Sequence, residues 1–533
     1  MADIARILAR LKHLEAERAT WEPVWQSIAE YVLPNRADFA VQRGPGQERT
    51  QKLYDMTAVH ANEMLASALH AMLTNPALHW FTLRTYDEKV NVIRAVRAWL
   101  EDAQTRMEAV FSSPRAGFTP AIHEFYLDLG APGTAVMLVE ERGRDQILFR
   151  THHLAECMLA EGETGRIDTI YRKFKMTARQ LAQRFETLPE KIANALAGDK
   201  PDQEFEIVHA VEPRADYDGR RLDGRNMPWR SCYVALQDKA ELSEGGYQEF
   251  PFVAARWSKV AGETYGRSPS WTALPDIKMV NAMSRTVLRA AQKATDPPLL
   301  LSDEGIVLPV RTTPGGLNFG AVDGQGRELM KPLVTGARID IGLEMQEQRR
   351  EQIRHAFFVD QLQFFNDQRM TATEVLQRTE ERLRLMSPMV GRMQIEGLGP
   401  LVERVFSIML RRGQFLPPPL ELRGQEIKIE YVSPIAKAQR ASDLVAMSRG
   451  FELLAPYAAA NPAALDVIDG DELVRAVADL SSFPLKVVRD ARALAAVRAG
   501  RQQAIEAASQ RQDIGLAADV AGKVMKGGQR ATA

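Results

Sequence analysis

A stretch dense in proline and glycine, residues 297–338, lies between two strongly helical segments, 268–296 and 339–358. That order leaves few ways to fold: two rods side by side, with a knob between them at one end. Ser268-Pro269 opens the first rod and Asp296-Pro297-Pro298 stops it, with Pro275 expected to bend or restart it. The insert has packing material of its own in residues 299–301, Ile306-Val307-Leu308 and residues 317–319. It therefore reads as a small β/loop module and not as a linker.

Each rod carries a charged stripe. On the first, Lys278, Arg285, Arg289 and Lys293 are spaced 7, 4 and 4 residues apart, with Val280, Met283, Val287 and Ala291 on a second stripe. On the second, Glu344, Glu347 and Glu351 share a face. Two readings stay open from spacing alone. The stripes are either solvated faces, where ion pairs are worth about 0–1 kcal/mol each, or they meet a charged partner. That partner is a neighbouring subunit's helix or a polyanion.

Around this core the chain is α-rich at first, then α+β, then helical again. Apolar residues at helical spacing from Ile4 to Leu14, followed by Trp21 and Trp25, predict one helix stopped at Pro34. Further helices are expected over 56–74, 89–111 and 119–129, after a Gly/Arg/Gln-rich loop at 35–50. Strands are expected at 133–140, 145–151, 169–174, 205–211, 231–236 and 252–255, with short helices at 177–185 and 189–197. Residues 359–370 mix Gln363, Asn366, Gln368 and Arg369 with Phe364-Phe365 between two strong helices. The bland reading is a loop whose phenylalanines plug the local core; the sharper one is a loop that touches a moving polymer without gripping it. A long helix over 371–412 begins with the capping box Thr371-x-x-Glu374 and should kink at Pro388 and Pro400. A strand at 426–432 follows the stiff Pro417-Pro418-Pro419, and the Ala-rich remainder is helical with a mobile tail.

Charge and composition exclude several functions. With 68 Lys+Arg against 69 Asp+Glu in 533 residues, the formal net charge is −1, so the chain as a whole is no nucleic-acid coat or membrane-surface protein. Two cysteines, Cys157 and Cys232, cannot form a disulfide framework or a four-cysteine zinc site, and fit a reducing compartment. No apolar run approaches a membrane span, and the charged N-terminus does not read as a signal peptide. The sequence holds no phosphate-binding P-loop, no G-x-S-x-G elbow and no H-E-x-x-H pair. His152-His153 would face opposite sides of a strand, His123-Glu124 lacks a second histidine, and the glycines of 315–326 are not followed by a helix. Neither an enzyme, a cofactor nor a metal centre is expected.

Three stretches, in order, resemble the head-to-tail connector, or portal, proteins of T7-like short-tailed bacteriophages. They are LYDMTAVHANEMLASALHAMLTNPALHWFTL from Leu53, RWSKVAGETYGRSPSWTALPDIKMVN from Arg256, and the segment from Met370-Thr371-Ala372-Thr373-Glu374-Val375 to Phe406. The resemblance spans residues 1 to about 435 and implies an α+β, predominantly helical portal-type fold in a ring, normally a homododecamer, at one capsid vertex. It implies a wing at 1–267, stem helices at 268–296 and 339–358, a clip at 297–338, a tunnel loop at 359–370, a long wing helix and strand at 371–435, and a helical crown with a tail at 436–533. It further implies a channel for double-stranded DNA, with Arg369 facing it, and partners in the terminase large subunit, a tail adaptor, and the major capsid and scaffold proteins. No membrane partner is implied, and the location is the virion, reached from the host cytoplasm during assembly. The alternative is another phage structural oligomer, a scaffold or internal core protein, without a DNA channel.

Overall fold

The computed structural model describes residues 4–362 and 386–431, apart from 42–43, 45, 92, 144–145, 199, 222, 302–305 and 334–338. Beyond 431 it describes 446–450, 452–454, 456, 468–471, 473–474, 477 and 493–506. The chain divides into two units. One comprises residues 1–82 and 103–416, the other residues 83–102 and 417–533.

The first unit is organised by a sheet buried on both faces. Five antiparallel strands follow in sequence order: β4 (Cys157–Glu161), β5 (Ile167–Thr177), β6 (Glu204–Pro213), β7 (Trp229–Ala235) and β8 (Ala240–Tyr247). Burial on both faces requires near-continuous apolar runs, which is why residues 207–212 of β6 are all buried or nearly so. Met158, Ala160, Tyr171, Val208 and Ala210 turn to one face and meet α1 (Ile4–Ala19), whose Ile7, Leu11 and Leu14 recur at helical spacing. The alternate residues Leu159, Ile170 and Val211 turn the other way. They pack with Val136, Leu138, Phe252 and Trp25.

Val136, Leu138 and Phe252 come from a second, three-stranded sheet in which β2 (Thr134–Arg142) is flanked by β3 (Gln146–His152) and β9 (Phe252–Arg256). The expected helix up to Pro34 is in fact two, α1 and α2 (Glu22–Val32), because Pro23 in the first turn of α2 cannot donate the backbone hydrogen bond that a continuous helix needs. α3 (Thr57–Leu73) and α6 (Phe118–Gly130) pack together, and the expected helix over 89–111 is split into α4 (Glu88–Asn91) and α5 (Arg94–Ser112). Short helices α7 (Ala178–Arg184) and α8 (Glu190–Ala197) pack against Phe205, Ile207, Tyr233 and Leu242 of the sheet, α7 with a full capping box between Thr177 and Gln180.

On either side of the Pro/Gly-rich insert stand α9 (Pro269–Thr295) and α10 (Ile339–Ala356), which pack against each other. Pro275 does not break α9, which continues through it. Between them, β10 (Leu299–Leu301) and β11 (Met330–Pro332) pair antiparallel at the base of the insert. Past α10, residues 359–362 form a helical turn, α11, where a loop was expected; the rest of that segment lies outside the described residues. Residues 386–393 are helical and pass through a π turn at Gln394–Leu398 into α12 (Gly399–Arg411). The interruption falls immediately before Pro400, one of the two expected kinks. The capping box at Thr371 is outside the described residues.

The second unit is described in less of its length. It contains Leu83–Thr85 of β1 (Phe81–Thr85), α4, part of α5, and β12 (Ile427–Tyr431), the strand that pairs with β1, with Arg84 reaching Glu430 at 3.2 Å. Helical residues 493–506 belong to it, with Arg498 forked onto Asp471.

Candidate functional site

Within the first unit, α9 and α10 start from a rigid anchor. At the base of α9 the chain passes so close to the β2 entry that only glycine fits twice over. A Cβ on Gly266 would lie 2.5 Å from the Gly133 carbonyl oxygen, and one on Gly133, at φ +94°, would lie 2.7 Å from the Ser268 nitrogen. Hydrogen bonds lock that approach. Gly266 N–H donates to Thr134 Oγ1 at 2.8 Å, Ser270 Oγ to the Gly130 carbonyl at 2.7 Å, and Ser268 Oγ to the Ala131 carbonyl. Trp21, Trp25, Tyr265 and Trp271 stack around the same point with ring centroids 4.9–5.7 Å apart.

About three turns farther along α9, residues 52–55 hold both helices. Asn281 of α9 donates to the Lys52 carbonyl at 2.7 Å and accepts from the Tyr54 N–H at 2.6 Å. Asp55 takes Arg350 of α10. Burial opposes the charge on Asp55, but the Thr57 hydroxyl and amide and the Arg350 guanidinium outweigh it and hold the carboxyl below its ordinary value. Arg349 pairs with Asp276 across the two helices at 3.0 Å. Farther out, a Cβ on Gly342 would sit 3.0 Å from Val287 Cγ2, so the glycine sets how closely the rods approach.

With the helices fixed in this way, the predicted stripes fall into place. Val280 is buried and Met283, Val287 and Ala291 are half-buried, while Lys278, Arg285, Arg289 and Lys293 are all exposed on the side of α9 away from α10. On α10, Gln346, Ile353 and Phe357 are buried, and Glu344, Glu347 and Glu351 are exposed on the side away from α9. Glu347 is engaged by Arg354 at 2.8 Å and by Arg350 at 3.2 Å. Arg285 lies over the Tyr54 ring at 5.7 Å. Among the described residues, none of Lys278, Arg285, Arg289, Lys293, Glu344 and Glu351 has an ion-pair partner. The insert at the far end is bare: Leu308, Leu317 and Phe319 are 70%, 73% and 71% exposed.

Of the loop residues, Gln363, Asn366, Gln368 and Arg369 lie outside the described residues. What leads into them is described: Phe357 is buried, and Phe358 turns the chain in the left-handed conformation (φ 59°) with its ring 6.1 Å from that of Trp257. Three histidines belong to the core: His152 and His209 are buried and His153 is half-buried. His153 donates from Nε2 to the Arg36 carbonyl at 2.7 Å and accepts the Ala155 N–H on Nδ1, and burial lowers its pKa to about 4. Burial, then Arg172, lowers His152 to about 3. His209 stacks on Tyr233 at 4.0 Å and is held far below its ordinary value by burial.

Sequence reasoning did not single out the groups that brace this site. Arg256 is buried and gathers Glu396 at 2.9 Å, Glu161, and the carbonyls of Gly165 and Thr264. The π turn aims Glu396 at it. Arg404 of α12 is buried beside Glu249 at 2.8 Å and over the Tyr247 ring. Burial, joined by the nearby Arg411, lowers the Arg404 pKa, only partly offset by Glu249 and Glu141. Among the described residues no group of His, Cys, Asp and Glu could hold a metal ion, and no helix is long and apolar enough to cross a membrane.

The sequence matches the model of a family described as bacteriophage head to tail connecting protein over residues 5–488. A probable portal protein of Bordetella phage BPP-1 is 30% identical over 526 residues, covering 97% of this chain and 94% of that one. The portal protein of Salmonella phage epsilon15 is 30% identical over 514 residues, covering 94% and 92%. Two solved structures align more loosely. One is the virion of a native gene transfer agent particle, at TM-score 0.34 and 11% identity, over 84% of this chain and 97% of that one. The other is the neck of an empty gene transfer agent particle, at TM-score 0.36 and 10% identity, over 84% and 98%. Superposition at that level supports no inference.

Proposed function

The chain belongs to the bacteriophage head-to-tail connecting proteins and is a portal protein, and from that premise we propose how its parts divide the work. A portal is a structural ring at the head–tail junction of the virion. In this reading the stem helices α9 and α10 wall the channel, the insert at 297–338 is the clip, and residues 359–370 are the tunnel loop. The chain closes into a homo-oligomer, probed first as a dodecamer, and double-stranded DNA passes through its centre during packaging and ejection. The clip receives the terminase large subunit first and a tail adaptor later, while the wing meets the major capsid and scaffold proteins. Assembly takes place in the host cytoplasm.

The observation that carries this reading is the surface left uncovered at the stem and clip. A monomer that stayed a monomer would not hold Leu308, Leu317 and Phe319 in water on a small two-stranded module. Such a surface is stable when many copies cover it for one another.

The near-neutral chain supports the channel. Each phosphate a protein neutralises adds affinity and salt dependence, so a uniformly basic bore would hold DNA where it must let it slide. A net charge of −1 with a few cations suits a sliding contact. Arg369, one per subunit, would form a thin cationic collar among Gln363, Asn366 and Gln368. Negative-stain imaging of the purified protein is the direct test. Radial rings with a central hole are expected; monomers or filaments alone under all conditions would overturn the proposal.

A further inference from the structure

The opposed charged edges of the stem hairpin have a geometric property that the ring alone does not require. We infer that the basic edge of α9 in one subunit docks laterally on the acidic edge of α10 in the next, and that this pairing selects a closed ring over other assemblies. The inference rests on the reading of the chain as a ring-forming connector and names the partner of its stem.

Three observations carry it. First, the edges lie on opposite sides of the two-helix unit. Lys278, Arg285 and Arg289 point away from α10, and Glu344 and Glu351 point away from α9. A head-to-tail interface in a cyclic oligomer needs two different, complementary surfaces on opposite flanks of each protomer. A two-fold contact would instead set lysine and arginine against lysine and arginine, or glutamate against glutamate, so the pattern also works against dimers.

Second, the charges match in height. Gly342 lies against Val287, and Arg349 pairs with Asp276. These two contacts fix the antiparallel register, in which Glu344 stands level with about residue 283 and Glu351 with about residue 276, at 1.5 Å of rise per residue. Each glutamate is therefore within about 3 Å, along the helix axis, of a cation on the other edge: Glu344 of Arg285, and Glu351 of Lys278. Rotation about a ring axis without rise carries each edge to its neighbour at constant height, so the pairs meet.

Third, the edges are not lined like the wall of a water-filled bore. About a quarter turn to either side of the basic stripe stand Met279 and Leu288, 44% and 50% exposed. Beside the acidic stripe stand Ile341 and Leu343, 42% and 51% exposed. Apolar side chains flanking a charged seam are what a helix–helix interface buries; a face that only slides along DNA gains nothing from them. The unpaired charges give register, and the flanks give affinity.

The test is an exchange of charge. Lys278→Glu with Arg285→Glu makes both edges acidic, and Glu344→Lys with Glu351→Lys makes both basic. Each variant alone is expected to lose ring formation at low salt at least tenfold in the subunit concentration required, by sedimentation and imaging. Mixed one to one, the two are expected to form rings with alternating subunits, and the chain carrying all four changes is expected to recover rings. Recovery in either case also shows that the variants fold. If both variants close into rings as the parent does, or if neither mixing nor combination restores rings, the inference is overturned. Rings that form normally while DNA packaging falls would place the basic edge on the channel wall instead, which overturns the lateral pairing and leaves the connector reading standing. Failure of the unaltered protein to form rings at all would sink that reading separately.

Discussion

The carboxylate of Asp55 receives Arg350 through both Nε and Nη2, at 2.9 and 2.8 Å onto a single oxygen, and so ties α10 to the loop that also holds α9. The pair is partly buried, so removing one partner costs more than the pair itself is worth. Arg350→Ala is expected to destabilise the protein by about 1–3 kcal/mol and to raise hydrogen exchange in both α9 and α10. The acid dependence has a definite sign. A carboxyl whose value is lowered by folding stabilises the fold above its unfolded value, near 3.8, and that contribution vanishes as pH falls through the lowered value. Unfolding titrations should show this increment in the parent and lose it in Asp55→Asn.

The approach of Gly133 and Gly266 leaves no room for a methyl group. The obstruction is backbone, which cannot swing aside as the end of a side chain can. Gly266→Ala is expected to abolish soluble expression or to cost about 3 kcal/mol or more. Gly342→Ala meets only a Val287 methyl at 3.0 Å, so a milder loss is expected there, and Val287→Ala in the same chain should recover part of it. Melting curves of the two single variants and the double variant decide this.

How much of this could be read from the sequence depended on how local the cause was. The stripe on α9 was legible because a helix repeats every 3.6 residues and writes its faces into the spacing of Lys278, Arg285, Arg289 and Lys293. The outer strands of the five-stranded sheet were not. β4 offers an apolar run of only four residues, Cys157 to Ala160, too short to stand out, and β8 contains Glu241, Glu244 and Gly245-Gly246, which break the alternation that marks a strand. β1 (Phe-Thr-Leu-Arg-Thr) alternates properly, but it is a short segment between the expected helices 56–74 and 89–111 and was assigned to no element. The break between α1 and α2 had a signal in Pro23, outweighed by the apolar periodicity on either side. The clamp around Asp55 and Asn281 joins residues 226 apart in the chain. No spacing rule reaches that far, and Leu53-Tyr54-Asp55 stood out only through the family resemblance.

Arg256 offers a sharper test of buried charge. Its side chain is 1% exposed and Glu396 is 8% exposed, so neither can turn to water if the other is removed. Arg256→Ala is expected to cost about 3–5 kcal/mol. Arg256→Met with Glu396→Gln should cost less than Arg256→Ala alone. Glu161 keeps Lys259 at 2.6 Å in that double variant, and the side-chain amide oxygen introduced at position 396 can still accept the backbone N–H of residue 256. A double variant as unstable as Arg256→Ala would mean that the bonds methionine cannot make, to Glu161 and to the Gly165 and Thr264 carbonyls, outweigh the stranding of Glu396.

The three core histidines predict how the protein responds to mild acid. Burial holds each neutral, with Arg172 and Arg184 near His152 and His209, and Arg36 and Arg18 near His153, adding to the effect. A base whose value is lowered by folding binds its proton more readily in the unfolded chain, so stability falls as pH drops below 6.5 and continues to fall toward the values near 4 and 3 of His153 and His152. Each such histidine contributes a slope of up to about 1.4 kcal/mol per pH unit in that interval. Denaturant unfolding between pH 7 and 4.5 should therefore steepen its loss of stability below pH 6.5. His209→Gln keeps a planar polar group against Tyr233 and a partner for Ser231 Oγ, at 3.0 Å in the parent, and removes one titrating base. Its slope should be shallower by about one proton's worth. An unchanged slope in that variant would mean that His209 already carries its proton inside the fold, against the stacked and fully enclosed position it occupies.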